Sequence, residues 1–232
     1  MKKYFLGFSF LMTLPLLANA FMLYDIDFEP PTYTNGQYIN GGYTRVISDN
    51  INGFITQALL LQDGGGINYE APAPYTSGVH RISWDFAVPV EQSASTIVGA
   101  FLDGTGPLLF STTMATDFSG PVIGYPGGST PFSFGQSYSF EVLMDLDANY
   151  YDFWLDGALL NDHAAIAADA DLWLVRFDQG QYMGLQAGVD NFRWEVTPAI
   201  PEPGTVSLLL LGLPALGMAR HLIPTQKKQA SK

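Results

Sequence analysis

The chain contains no cysteine, which excludes a disulfide framework and a lipoprotein anchor. Lysine is absent from residues 21–200, where 21 acidic residues stand against four arginines, Arg45, Arg81, Arg176 and Arg193, a net charge of −17. So acidic a surface repels nucleic-acid phosphates and anionic lipid, and it favours cations or neutral partners such as uncharged sugars. Histidine is scarce: His80 and His163 are the only ones before the tail, too far apart in sequence to suggest a metal cluster, and each reads as a surface or strand-end residue. No serine sits in a Gly-x-Ser-x-Gly elbow, and the glycine run 64–66 lacks a following Lys-Ser/Thr pair. Acyl transfer and phosphate binding therefore have no support. Acidity without aromatics would point to disorder, but this stretch is rich in Phe, Tyr and Trp and is expected to pack.

The long apolar runs lie at the two ends. Residues 1–20 read as a signal peptide, with Lys2-Lys3 as the charged start, 4–17 as the apolar core and Ala18-Asn19-Ala20 as the small-x-small cleavage site. Cutting after Ala20 leaves Phe21 first, and the exported part, lacking disulfides, must rely on its own core, which its length allows. At the other end Pro201-Glu202-Pro203 precedes 204–219, which carries no charge and would span about 24 Å as a helix. That is slightly short of a bilayer core of about 30 Å, a deficit that snorkelling of Arg220 and local thinning can meet. Arg220, Lys227, Lys228 and Lys232 follow with no acid among them, so the extreme C-terminus is expected in the cytoplasm and the body outside.

This order of parts resembles the sorting signal of the bacterial PEP-CTERM family. Pro201, Glu202 and Pro203 match the tripeptide, 208–213 the helix and Arg220 the start of the basic end. Pro214 inside the helix and the spread of basic residues depart from the pattern, although such a kink is tolerated in a membrane. The resemblance implies an exosortase, a membrane protease that cuts near the tripeptide, as a partner. It also implies a transient single-pass membrane state, then a cell-surface or extracellular one, in the exopolysaccharide or biofilm setting of a Gram-negative bacterium.

Between the ends, strand signals dominate. Residues 80–88 alternate, with Ile82, Trp84, Phe86 and Val88 on one face and Arg81, Ser83 and Asp85 on the other; 138–146 and 190–196 do the same. Further strands are predicted at 22–28, 54–60, 96–102, 108–113, 150–155 and 172–177, and a short helix at 162–171 through its alanines. Asn-Gly, Asp-Gly and Pro-Gly turns lie between them. The expected fold is all-β, a two-sheet jelly-roll sandwich over 21–198, flanked by the signal peptide (1–20) and the sorting signal with its transmembrane helix (199–232). Residues 140–145, the aromatic segment 151–155 with Asp156-Gly157, and Val189-Asp190-Asn191-Phe192 resemble the late strands of concanavalin-A-like and laminin-G-like jelly rolls. That resemblance bears on fold, since such folds host lectins, glycosidases and inert modules alike.

Four groups carry candidate chemistry. Asp25, Asp27 and Glu29 would share a face on a strand and resemble the catalytic strand of laminarinase-like glucanases, but Asp25 stands where that pattern has a nucleophilic Glu. The expectation is an acidic first strand with Ile26 and Phe28 inward and no catalytic residue, a glycoside hydrolase on the same fold being the alternative. Asp145, Asp147, Asn149 and Asp152 begin like an EF-hand loop, but Tyr150 stands where the glycine belongs, and a hairpin turn explains the same residues. In many carbohydrate-binding jelly rolls an acidic residue of the first strand and the Asp of the last strand share a structural calcium, and Glu29 and Asp190 would be the matching positions. Finally, Trp154, with Tyr150 and Asp152 on its side of the strand, is the expected exposed platform for a sugar, while Trp84 and Trp194 read as core. The expected role is a non-catalytic, exported, carbohydrate-binding or matrix protein.

Overall fold

Period-two alternation becomes sheet wherever both neighbours of a strand can be found, and here nearly every alternating segment finds them. The computed structural model describes residues 19–39, 45–91, 96–105, 108–117, 120–179 and 186–199. Ala18, Pro201, Glu202, Pro203, the apolar run 204–219 and Arg220 lie outside the described residues. Among the described residues no helix is long and apolar enough to cross a membrane.

Fourteen strands lie among them: β1 (Phe21–Ile26), β2 (Arg45–Ser48), β3 (Ala58–Gln62), β4 (Gly66–Tyr75), β5 (Val79–Ala87), β6 (Thr96–Asp103), β7 (Leu108–Asp117), β8 (Gly120–Tyr125), β9 (Gly128–Pro131), β10 (Ser137–Asp145), β11 (Tyr150–Leu155), β12 (Ala158–Ala165), β13 (Leu172–Gln179) and β14 (Gln186–Thr197). They form an eight-stranded sheet, ordered β12-β11-β10-β5-β14-β3-β2 with β1 also on β14, and a six-stranded sheet, ordered β4-β13-β6-β7-β8-β9. Among the described residues the strands pair antiparallel throughout, as expected for a sandwich whose sheets each keep one face in water.

The core lies between the sheets. On β5 and β10 the inward residues Ile82, Trp84, Phe86, Phe140, Val142 and Met144 are buried, as are Phe192, Trp194 and Val196 on β14. Trp84 and Phe140, opposite one another in the register, stack with ring centroids 5.4 Å apart and planes at 9°. From the second sheet Phe177 meets Trp84 edge-on at 5.8 Å and Phe86 at 5.4 Å, which locks one sheet over the other. Such pairs contribute about 0.5–1.5 kcal/mol each beyond burial.

Several expectations are corrected. Residues 162–171 form no helix: 162–165 belong to β12, because the exposed edge of β11 offers backbone partners that outweigh the helix preference of five alanines. The strand expected from residue 54 begins at Ala58, since Gln57 turns inward and donates from Nε2 to the Phe28 carbonyl at 2.9 Å. β2, β4, β8, β9 and β12 were not predicted. β4 carries Pro72 and Pro74 and is tolerated because it lies at a sheet edge. Asp156 and Gly157, with φ of 49° and 76°, make the two-residue turn joining Leu155 to Ala158, the geometry that Asp-Gly favours between strands.

His80, expected near the surface, is fully buried. Its Nδ1 accepts from Trp194 Nε1 at 3.2 Å and its Nε2 faces the Ser77 carbonyl at 3.4 Å, so the neutral ring with the proton on Nε2 satisfies both. Burial pushes its pKa down to about 4 from 6.5. The unfolded chain then takes up a proton that the folded one refuses, so stability is lost as pH falls from about 6.5 to about 4. His80 should contribute a decline of about 2–3 kcal/mol between pH 7 and pH 4.5. Urea unfolding at the two pH values checks it: His80→Gln should lose less on acidification than the parent by that amount, and parallel curves would refute the assignment.

Candidate functional site

Charged and polar residues on β5 and β10 alternate with the core set, so they face outward from the eight-stranded sheet. There they line an open groove of about 570 Å³ with contributions from Arg81, Ser83 and Asp85, Ser139 and Glu141, Trp154, Gly157, Asn191 and Arg193. The register explains the convergence: Trp154 lies opposite Glu141, Glu141 opposite Ser83, Ser83 opposite Arg193, and Arg193 opposite Asp25. This row from β11 to β14 spans three strand spacings, about 14 Å. Trp154 is half-buried and lines the β11 side of the groove.

Every ionised group in the groove is held by a partner of the same surface. Arg81 Nη1 lies 3.0 Å from Glu141 Oε1, and Arg193 Nε donates to Asp25 Oδ1 at 2.9 Å. Asp85 accepts on both oxygens, from Ser139 Oγ at 2.6 Å and Asn191 Nδ2 at 2.8 Å. Two of the four arginines of residues 21–200 are concentrated here. The groove thus combines one aromatic side chain with fixed donors and acceptors, with little net charge.

Asn191 reaches Asp85 because β14 carries a bulge. The register with β5 shifts between Asp190 and Arg193, and Asn191 has φ of 51°. Before the bulge Ala187 and Val189 are buried, and after it Phe192, Trp194 and Val196. Asp190, at the bulge, is buried with its Oδ1 lacking a hydrogen-bond partner, and Glu29 Oε1 is in the same condition. Burial pushes the Asp190 carboxyl up to about 7; the Asn191 backbone N–H opposes this, while the charges of Asp85, Glu29 and Asp27 add to it. Asp190 and Glu29 thus each bury an unpartnered carboxylate oxygen, and the charges of Asp85, Glu29 and Asp27 act on Asp190. Such a set fits a hard, oxygen-seeking cation such as calcium.

The other expected sites fare differently. Asp25, Asp27 and Glu29 do not share one strand face: β1 ends at Ile26, Phe28 turns into the left-handed region with φ of 54°, and Asp27 Oδ1 accepts from the Glu29 N–H at 3.1 Å. Phe28 is buried as expected, but through a turn rather than along a strand. Asp145 and Asp147 accept from the backbone N–H of Ala148 and Gly78 at 2.8 and 2.9 Å, and Asn149 has φ of 57°, so these residues build the β10–β11 turn. Tyr150 is outside the groove lining and stacks on His163, ring centroids 4.2 Å apart. Ala20 is exposed immediately before β1.

The groove partners of Trp154 were not singled out in the sequence. Alternation puts Arg81, Ser83 and Asp85 on the polar face, but only the pairing of β5 with β10 and β14 brings them to Trp154.

No protein-family profile matches the chain, and no curated protein is similar to it in sequence. Among solved structures it is similar to a peanut lectin in complex with a nine-residue peptide, at 8% identity and a TM-score of 0.51, covering 79% of this chain and 100% of that one. It is also similar to part of a sialidase (15% identity, TM-score 0.49), of which it covers 17%, the match taking in 65% of this chain. A third is the carbohydrate recognition domain of Emp46p in its potassium-bound form (10% identity, TM-score 0.42, 67% of this chain and 84% of that one). The fold is thus a lectin-like jelly-roll sandwich of two antiparallel sheets.

Proposed function

We propose that this protein is a non-catalytic, exported carbohydrate-binding sandwich, sorted through its C-terminal signal by an exosortase and associated with extracellular polysaccharide. The carrying observation is the groove on the eight-stranded sheet, where Trp154 supplies a ring face and Arg81, Asp85, Ser139, Glu141 and Asn191 supply hydrogen-bonding groups already fixed in place. A pyranose has the matching character: an apolar face of C–H groups to lie on an indole, and hydroxyls around its edge that both donate and accept. Because the charges are neutralised in pairs, an uncharged sugar meets them without needing a counter-ion.

Binding rather than cleavage is favoured by the way the groove acids are held. Both oxygens of Asp85 accept hydrogen bonds, and Glu141 and Asp25 each sit against an arginine. These contacts tie the groove carboxylates to partners on the same sheet, whereas a glycosidase needs two carboxyls open to the sugar, one protonated and one not; Asp190, the carboxyl that burial pushes up, is buried and does not line the groove. We assign Glu29 and Asp190 to a structural calcium on the strength of their buried, unpartnered oxygens. That ion would neutralise the acids under the groove and hold the bulge that presents Asn191.

The test is a glycan array probed with the purified protein, followed by calorimetry on the hits. Trp154→Ala should weaken binding at least tenfold, the effect of removing about 1.5–3 kcal/mol of stacking and burial, with an unchanged melting temperature. A ligand held equally well by Trp154→Ala, or reducing ends released from it over time, would overturn the reading.

A further inference from the structure

The outer face of β11 continues past Trp154 into a second group of side chains, which the carbohydrate reading does not use. His163 Nδ1 stands 2.6 Å from Asp162 Oδ1 and 3.3 Å from Asp152 Oδ1, and one ligand atom from each residue lies within 4.8 Å of the other two. The cluster is built by an irregularity: the β11–β12 register shifts between Tyr151 and Phe153 and again between Phe153 and Trp154. His163 has φ of 53°, and its own N–H donates to Asp152 Oδ1 at 2.6 Å. Asp152 is buried, its side chain only 10% exposed, whereas Asp162 and His163 face solvent. Tyr150 stacks on the imidazole with planes 20° apart, which restricts the ring to the side where Nδ1 meets both carboxylates.

We propose that Asp152, Asp162 and His163 form a binding site for a divalent zinc-class cation. One imidazole nitrogen and two carboxylates are a borderline donor set, suited to zinc rather than to calcium or magnesium, which prefer oxygen alone. Ligand bonds of about 2.0–2.2 Å in a tetrahedral arrangement place donor atoms about 3.4 Å apart. The Asp152–His163 spacing of 3.3 Å already meets that distance. The Asp162 carboxylate has to withdraw from Nδ1 by less than about 1 Å and already lies within 4.8 Å of the Asp152 ligand oxygen; it is exposed, so a rotation of its side chain can adjust both spacings. A salt bridge alone leaves the trio at a net charge of −1 even with the imidazole protonated, and with one of its two carboxylates out of water; a divalent cation on the neutral ring removes that deficit. Three protein ligands leave a coordination position for water. Trp154 lies two residues along the same strand, about 7 Å away, so a sugar hydroxyl reaching past the indole could take that position. The metal site itself does not depend on the sugar.

The experiment is calorimetric titration of zinc chloride into the full chain, stripped with EDTA and then supplied with excess calcium to fill the oxygen-rich site near Asp190. One zinc per chain at micromolar affinity is expected, lost by tenfold or more in His163→Ala and in Asp162→Asn and unchanged in Glu29→Gln. His163 and Asp162 are exposed, so both variants should melt like the parent in EDTA; that measurement separates lost binding from lost fold. Saturation only at millimolar zinc, or undiminished binding in both variants, would overturn the site.

Discussion

Asp190→Asn should raise the melting temperature of the calcium-free protein at pH 8, by roughly 5–10 °C, and at the same time abolish any stabilisation by calcium. Burial raises the folded pKa of this carboxyl to about 7 from 3.8. For an acid shifted upward, the folded state keeps a proton that the unfolded chain has released. Stability on this account is complete below pH 3.8 and is lost as pH rises through about 7. At pH 8 the ionised Asp190, with Glu29, Asp27 and Asp85 around it, costs the fold on the order of 4 kcal/mol. Asparagine carries no charge to bury and keeps the side chain's shape. A change of about 2–4 kcal/mol moves the midpoint of a domain this size by about 2–4 °C per kcal/mol. Calcium at a hundred times its dissociation constant would instead stabilise the parent by about 2.7 kcal/mol. Scanning calorimetry in EGTA and in calcium should therefore show the two proteins changing rank. A variant that is less stable in EGTA, or one that responds to calcium as the parent does, would show that the carboxylates under the groove are not a cation site.

The second large effect is expected at the other end of the chain. Glu202→Ala should leave most of the protein as an unprocessed precursor in the membrane fraction. In sequence terms proline restricts its own φ and disfavours a helical residue before it, and Glu202 is the one charged residue of the tripeptide. Removing that charge deletes what distinguishes the segment from any rigid turn, while on the proposed sorting route the uncharged run 204–219 and the basic end would still hold the chain in the bilayer. Fractionation and mass spectrometry of both termini check it. In the parent the N-terminus should begin at Phe21 and the C-terminus end near residue 203, and normal trimming of Glu202→Ala would count against exosortase recognition.

Much of the architecture was legible because period two is a local signal. Residues 150–155 were predicted as a strand and form β11 with those bounds; Trp84, Trp194 and Phe192 were placed inward and are buried. What escaped were elements whose local signals contradict their role. The alanines around His163 favour a helix in isolation, and the prolines of β4 argue against a strand, yet edge positions settle both. His80 looked like a strand end and became a core residue because Trp194, 114 positions away, needed an acceptor.

The residues by themselves determined an acidic, disulfide-free, aromatic-cored sandwich with charged apolar ends, because charge count, cysteine count and strand alternation need no partner to be read. Only tertiary structure decided what the outer face presents. Trp154, Glu141, Arg81 and Asn191 meet through the register of three strand pairs and one bulge, and the oxygens of Glu29 and Asp190 are buried without partners only in the folded chain. Those are long-range contacts, and no pattern along a single strand encodes which strand will lie beside it.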